Sequence, residues 1–239
     1  MMRFVRGATL AVLILALPVA LITTSARIVI YSGWLYNVGF DKYEIAAQTG
    51  IDKPELMRFA REIKEYFSND EPLLTTRVVR RGVDRPLYRE RELLHMADVK
   101  VIIKSLLLQQ RLSFTVLLGV GIGALMAMGN RRGLRFLGRA ALWGSVATVG
   151  LIALAGIGSL LNFQSLFIFF HQLVFTNDLW LLDPRTDYLL MMFPEGFFLD
   201  ATLCMAGLSL AEAVLAGTAA GGFLWRARQA ATAGYNQPP

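Results

Sequence analysis

Four stretches of the chain carry almost no polar side chain and are long enough to cross a bilayer as helices. Residues 8–26, 112–129 and 140–161 hold no charge, and 201–225 is apolar apart from Glu212. A hydrocarbon core about 30 Å thick takes ~20 helical residues, because each adds 1.5 Å. The segments between these stretches follow other patterns. In 27–111, Asp52, Pro54 and Glu55 mark a helix start, with a proline in the first turn and carboxylates beside it. Leu56, Phe59, Ile63 and Phe67 then recur opposite Arg58, Arg61, Glu62 and Glu65, the signature of an amphipathic helix with one buried face. Residues 75–88 place Val78 and Val79 among four arginines and Pro86, which predicts a short strand or an extended loop. Apolar residues take over after Lys100, and Lys100, Lys104 and Arg111 fall near one face. They read as snorkelling cations on a helix nearing the membrane. Residues 167–175 are too apolar for an exposed loop and are expected to extend the third span or to lie along the interface.

The prediction is an all-α membrane protein of four transmembrane helices, a single integral membrane domain over 1–239 with a mainly helical extracytoplasmic subdomain. The spans fall at about 8–26, 112–129, 140–161 and 201–225. The outward segments are about 27–111 and 162–200, and both termini are cytoplasmic. Composition agrees: hydrophobic residues make up 55% of the 239 and charged ones 18%, which excludes a disordered chain. The single cysteine, Cys204, excludes an internal disulfide scaffold.

Charge changes the picture only through its placement. The net charge is +6, a value that by itself suggests nucleic acid. Eight arginines, however, sit where no acid does: Arg3 and Arg6, then Arg131, Arg132, Arg135 and Arg139, then Arg226 and Arg228. The remaining 16 of the 24 basic residues accompany all 18 acidic ones. This is the positive-inside pattern of a membrane protein, and nucleic-acid binding has no support. The first stretch also has the form of a secretory leader, with Thr23-Thr24-Ser25-Ala26 at its end. A retained first span balances the topology better.

Chemistry concentrates around the two histidines. On a helix, Glu92, His95 and Asp98 share one side at intervals of three, so either carboxylate is within reach of the imidazole. A carboxylate beside imidazole fixes its tautomer and raises its basicity, as a general base requires. A surface histidine in a salt-bridged helix has the same spacing. His171 lies in the apolar run, where a hydrogen-bonded packing histidine is the plain reading. Yet Asn177, Asp178, Trp180, Asp183, Arg185, Asp187 and Glu195 follow closely, and polar groups crowded beside apolar surface suit an amphiphile. Glu212 lies near the middle of the fourth span and is expected to bond a serine, threonine or backbone carbonyl. The Gly-x-Ser-x-Gly elbow, the phosphate loop and the His-Glu-x-x-His zinc motif are all absent.

Taken together, Glu92-x-x-His95-Met96-x-Asp98-Val99-Lys100, Phe170-His171, Asn177-x-x-Trp180-x-x-Asp183-Pro184-x-x-Asp187 and Phe193-Pro194-x-x-Phe197-Phe198 resemble the bacterial lipoprotein intramolecular transacylase family. The resemblance runs from the first span to about Asp200; Glu212 and the tail match nothing in it. It implies an acyltransferase of the bacterial cytoplasmic membrane whose active site faces outward. Its partners would be a diacylated bacterial lipoprotein and membrane phospholipid. The reaction it implies moves the sn-2 acyl chain of the S-diacylglyceryl group onto the α-amine of the lipoprotein's N-terminal cysteine, giving the lyso form. Cys204, inside the fourth span, would then be a packing residue.

Nucleophile and electrophile both belong to such a substrate, so no enzyme serine or cysteine is needed, and neither metal nor cofactor is expected. His95 is assigned as general base, oriented by Glu92 or Asp98, and His171 as oxyanion donor or general acid; the reverse assignment satisfies the residues equally. Asn177, Asp183 and Asp187 are expected to orient His171 or to bind the peptide amine. Arg89, Arg91 and Trp180 are expected to hold the peptide or the headgroups. Two alternatives fit the residues without the resemblance. One is a non-enzymatic membrane sensor or transporter accessory with an extracytoplasmic ligand-binding segment. The other is a metallohydrolase with zinc on His95, His171 and a carboxylate.

Overall fold

The computed structural model describes residues 2–80 and 82–235. Eight helices and one hairpin follow in order among them: α1 (Met2–Tyr31), α2 (Gly33–Lys42), α3 (Ile45–Thr49), α4 (Lys53–Ser68), β1 (Arg77–Arg80), β2 (Val83–Pro86), α5 (Glu90–Met128), α6 (Asn130–Val174), α7 (Tyr188–Met192) and α8 (Glu195–Tyr235). Helices α1, α5, α6 and α8 are each long and apolar enough to cross a membrane, so the chain is a multi-pass membrane protein. Each covers one of the four uncharged stretches, α5 all but its last residue Gly129, and each begins before it. At 39 residues, α5 is about 58 Å long at 1.5 Å per residue, nearly twice a bilayer core. The part of α5 before its uncharged stretch holds Glu92, His95 and Asp98.

Contacts divide the chain into two compact units. The first comprises Met1–Ala26, Leu108–Gly156 and Met205–Pro239. In it, polar groups pair across helices as apolar surroundings demand. Ser25 donates to Glu212 (3.3 Å) and Gln110 to Thr24 (2.9 Å), so Glu212 has the serine partner expected of a carboxyl at that depth. Gly129, at φ 73°, takes the left-handed conformation that ends α5 and lets α6 start at the next residue.

The second unit comprises Arg27–Leu107 and Ile157–Cys204. Here α4 has the predicted form: Asp52 is its N-cap, Pro54 stands in its first turn, and Leu56, Phe59, Ala60, Ile63, Tyr66 and Phe67 are buried. Each large apolar side chain so buried contributes roughly 1.5–3 kcal/mol. The Asp52 side chain makes no cap hydrogen bond; the proline and the buried face define the start instead. The arginine-rich segment forms an antiparallel hairpin, with Arg77 opposite Pro86 and Arg80 opposite Val83. Val78 faces inward at 5% exposure and Arg58 donates to the Arg77 carbonyl (2.9 Å). Arg81, one of the four arginines there, lies outside the described residues.

Lys100 departs from the snorkelling expectation. It is buried, donates to the Asn69 side chain (2.9 Å) and the Glu71 carbonyl (2.7 Å), and lies 3.9 Å from the centre of the Tyr66 ring. It thus clamps the end of α4 to α5, while Lys104 pairs with Asp70 at 2.8 Å. Tyr36 and Phe40 of α2 pack with Phe193 and with Phe197 of α8 at ring separations of 5.2–6.5 Å. Gly39 permits this approach: a Cβ there would lie 2.6 Å from the Phe197 ring. The helices α2, α3 and α7 had no distinct signal in the hydrophobic pattern.

Candidate functional site

The second unit holds an open-sided cavity of about 300 Å3. Helix α5 brings Met96, Val99, Ile102 and Ile103 to it, and α8 brings Phe197, Phe198 and Ala201. Among the described lining residues the polar side chains are Tyr36, His95 and His171. The Tyr36 hydroxyl is spent on the Ile30 carbonyl (2.9 Å), which leaves two imidazoles as the polar face of an apolar chamber.

Their ring centres are 6.2 Å apart, inclined by 33°, and both residues are buried, at 7% and 8% exposure. Phe175 stands beside both, 5.1 Å from His95 and 5.4 Å from His171. Trp180 and Phe167 pack against His171 with ring centres 5.1 and 4.2 Å away, tilted by 39° and 47°. The ring of His171 is fixed at one nitrogen: Nδ1 lies 2.7 Å from the Phe167 carbonyl oxygen. A carbonyl only accepts, so Nδ1 carries the hydrogen and Nε2 presents a lone pair. His95 is the reverse case, since its buried Nδ1 has no partner among the described residues.

The segment bearing His171 reaches this position through a break. Within α6, Asn162 leaves helical geometry (φ −160°, ψ 87°), and its side chain accepts from the backbone N–H of Ser165 (2.9 Å). That is the bond of a helix N-cap. Residues 167–174 therefore extend the third span as a freshly started helix, and Phe175 follows its end.

The carboxylates around the histidines do different work from one another. Glu92, fully buried, sits in the third position of α5 and accepts from the backbone N–H of Arg89 (2.8 Å), the returning half of a capping box. Its other oxygen accepts from the N–H of Leu189 (2.7 Å) in the first turn of α7. One side chain thus satisfies unpaired donors at two helix starts. Asp187 accepts from the N–H of Asp183 (2.7 Å) and from the Arg89 guanidinium (3.2 Å). Asp183 is bound by the Arg185 guanidinium (2.8 and 3.0 Å) and by the Arg185 N–H (2.9 Å). Those bonds, the guanidinium's foremost, hold its carboxyl down to about 2. Arg91 donates to the Asp178 carbonyl, and Asn177 donates to Asp98 (2.9 Å).

Of the residues singled out from the sequence, His95, His171 and Trp180 come together. Arg89, Glu92, Asp183 and Asp187 form a girdle that fastens the 183–189 segment to the start of α5. Neither Glu92 nor Asp98 is hydrogen-bonded to His95, and none of Asn177, Asp183 and Asp187 is hydrogen-bonded to His171, among the described residues. Phe167, Phe175 and Tyr36 had not been singled out. The run of phenylalanines around His171 was the available signal, and it reads equally well as lipid-facing surface. No group of three or more histidine, cysteine or acidic side chains is arranged to hold a metal ion among the described residues.

Comparison with known proteins adds a family. The model of the lipoprotein intramolecular transacylase Lit matches residues 11–198. The solved structure of the membrane integral lipoprotein intramolecular transacylase Lit from Bacillus cereus superposes with a TM-score of 0.73 at 23% identity, over 95% of this chain and 98% of that one. A form of the same protein with one histidine substituted gives 0.76 at 22% identity, over 96% of each chain. No curated protein matches the chain.

Proposed function

The chain belongs to the lipoprotein intramolecular transacylase family, and on that footing we propose that it moves the sn-2 acyl chain of an S-diacylglyceryl cysteine onto the α-amine of the same cysteine. The amine nitrogen attacks the ester carbonyl carbon, an amide forms, and the bond to the glycerol oxygen breaks. The proton lost by nitrogen ends on that oxygen. Nothing is oxidised or reduced, and no second substrate is consumed. The product is the N-acyl, S-monoacylglyceryl lyso form.

The observation that carries this reading is the pair of imidazoles 6.2 Å apart in a chamber otherwise walled by apolar side chains. Acyl chains gain roughly 0.8 kcal/mol for each methylene taken from water, so the walls favour lipid and the reacting ester settles where the polar atoms are. Holding amine and ester together supplies up to about 7–11 kcal/mol of the barrier in well-oriented systems. Proton transfer and oxyanion stabilisation supply the rest. The hydrogen-bond pattern favours the reverse of the first assignment. His171, with its Nε2 lone pair, takes the proton from the amine and, as the imidazolium so formed, gives it to the departing glycerol oxygen, while neutral His95 stabilises the oxyanion through Nε2–H. Trp180 packs against the His171 ring, with the ring centres 5.1 Å apart. Arg89, Glu92, Asp183 and Asp187 act as positioning residues through the loop they fasten, and Arg91 and Asn177 close that loop on α5. The arginine pattern supports termini on the cytoplasmic side and a site on the outer side of the bacterial cytoplasmic membrane, with phospholipid around it.

The test is expression of the chain with a diacylated lipoprotein in cells that lack any other N-acylation, followed by mass spectrometry of the N-terminal lipopeptide. The expected product is the N-acyl, S-monoacylglyceryl form. His95→Ala and His171→Ala should each lower it by about 100-fold or more, the scale of acid–base catalysis, while the protein stays in the membrane. Near-normal product from both variants overturns the two-histidine mechanism.

A further inference from the structure

The substrate's reacting nitrogen arrives charged. An α-amino group has a pKa of about 7.7–8.0, so at neutral pH most of it is ammonium, and bringing it beside an apolar chamber requires an anion. Two carboxylates lie on the His95 face of α5, one turn to either side. Glu92 is unavailable, because backbone N–H groups of Arg89 and Leu189 occupy its two oxygens. Asp98 is different. It is half-buried, its Oδ2 accepts from the Asn177 side chain at 2.9 Å, and its Oδ1 has no hydrogen-bond partner among the described residues. At three residues' spacing on a helix, its Cβ lies about 5–6 Å from that of His95. Asn177 comes six residues after His171, so the Asn177–Asp98 bond ties together the two segments that bear the imidazoles.

We infer that Asp98, steadied through one oxygen by Asn177, is the binding residue for the α-ammonium of the lipoprotein's N-terminal cysteine, which its free oxygen receives one helical turn from His95. The inference rests on the transacylase reading and deepens it: the enzyme selects its substrate by a free amino terminus as well as by its lipid. Asp98 holds the nitrogen, and the histidines handle its proton. A chain whose terminus already carries an acyl group has no ammonium to offer, so the same carboxylate discriminates against the finished product.

The experiment uses a lipopeptide that cannot react, an S-dialkylglyceryl cysteine peptide with ether-linked chains. It is made with a free α-amine and, separately, N-acetylated, and binding to the detergent-solubilised full chain is measured for both. The wild type should bind the free amine about 10- to 100-fold more tightly than the acetylated form, the range set by one charge-assisted hydrogen bond. Asp98→Asn should abolish that preference and leave affinity for the acetylated form within about 2-fold. Asp98→Glu should restore part of it. Asn177→Ala, which removes the steadying partner and keeps the carboxylate, should retain the sign of the preference. Equal loss for both peptides in Asp98→Asn would make Asp98 a structural residue and overturn the inference, as would a wild type indifferent to acetylation. Because no acyl transfer is involved, the binding result stands apart from the turnover test: absence of N-acyl product from the ester substrate counts against the transacylase reading alone.

Discussion

Glu92 illustrates how one side chain supports the site without touching the chemistry. Its two oxygens hold backbone donors at the starts of α5 and α7, 97 residues apart in the case of Leu189. Glu92→Gln keeps the shape and turns one acceptor into a donor, so one buried N–H faces another. The expected cost is about 1–3 kcal/mol, read as a lowered Tm in detergent, with turnover falling in step. A role for Glu92 in proton transfer predicts the opposite: unchanged Tm and lost turnover. The row Glu92, His95, Asp98 was legible from spacing, since a helix leaves little choice about which residues share a face. The division of labour within the row was not. It depends on Leu189 and Asn177, whose arrival beside α5 is a tertiary event with no local signature.

At the level of elements, the break at Asn162 decides where His171 points. Asn162 closes a cap bond to Ser165, and substitution to alanine removes it at about 1 kcal/mol. Asn162→Ala should therefore straighten or fray the start of the His171-bearing helix and lower turnover several-fold, with membrane insertion unchanged. Asn162→Ser, which keeps a capping oxygen, should stay near wild type. A lipopeptide turnover assay on both variants checks this, and equal activity in the two would show that the break is passive. The break was hidden in the sequence because apolar residues continue on both sides of it, and hydrophobicity does not report backbone direction. The amphipathic helix α4 was fully legible, because its buried and exposed faces alternate on a 3.6-residue period. The hairpin was half legible: arginines and a proline ruled out a core helix there, and only the pairing register was missing. Lys100 misled for a related reason, since a long cation near apolar residues reads as snorkelling until a ring and two acceptors are found beneath it.

For the whole molecule, the four spans follow from uncharged length alone, and helices α1, α5, α6 and α8 cover them apart from Gly129. Side assignment rests on the eight arginines and is open to direct measurement. In a Cys204→Ser background, Arg132→Cys should react with a membrane-impermeant maleimide only after cells are permeabilised, whereas Arg185→Cys should react in intact cells. The opposite labelling pattern would invert the topology.

The near absence of polar atoms from the chamber walls has a further consequence, for fidelity. An activated ester meets the tethered amine there far more often than it meets solvent, so hydrolysis to free fatty acid should be a minor side reaction. Opening the wall to water with Ile102→Asn should change that partition. Fatty acid would be released alongside the lyso lipoprotein, and its ratio to N-acyl product would measure how dry the chamber has to be.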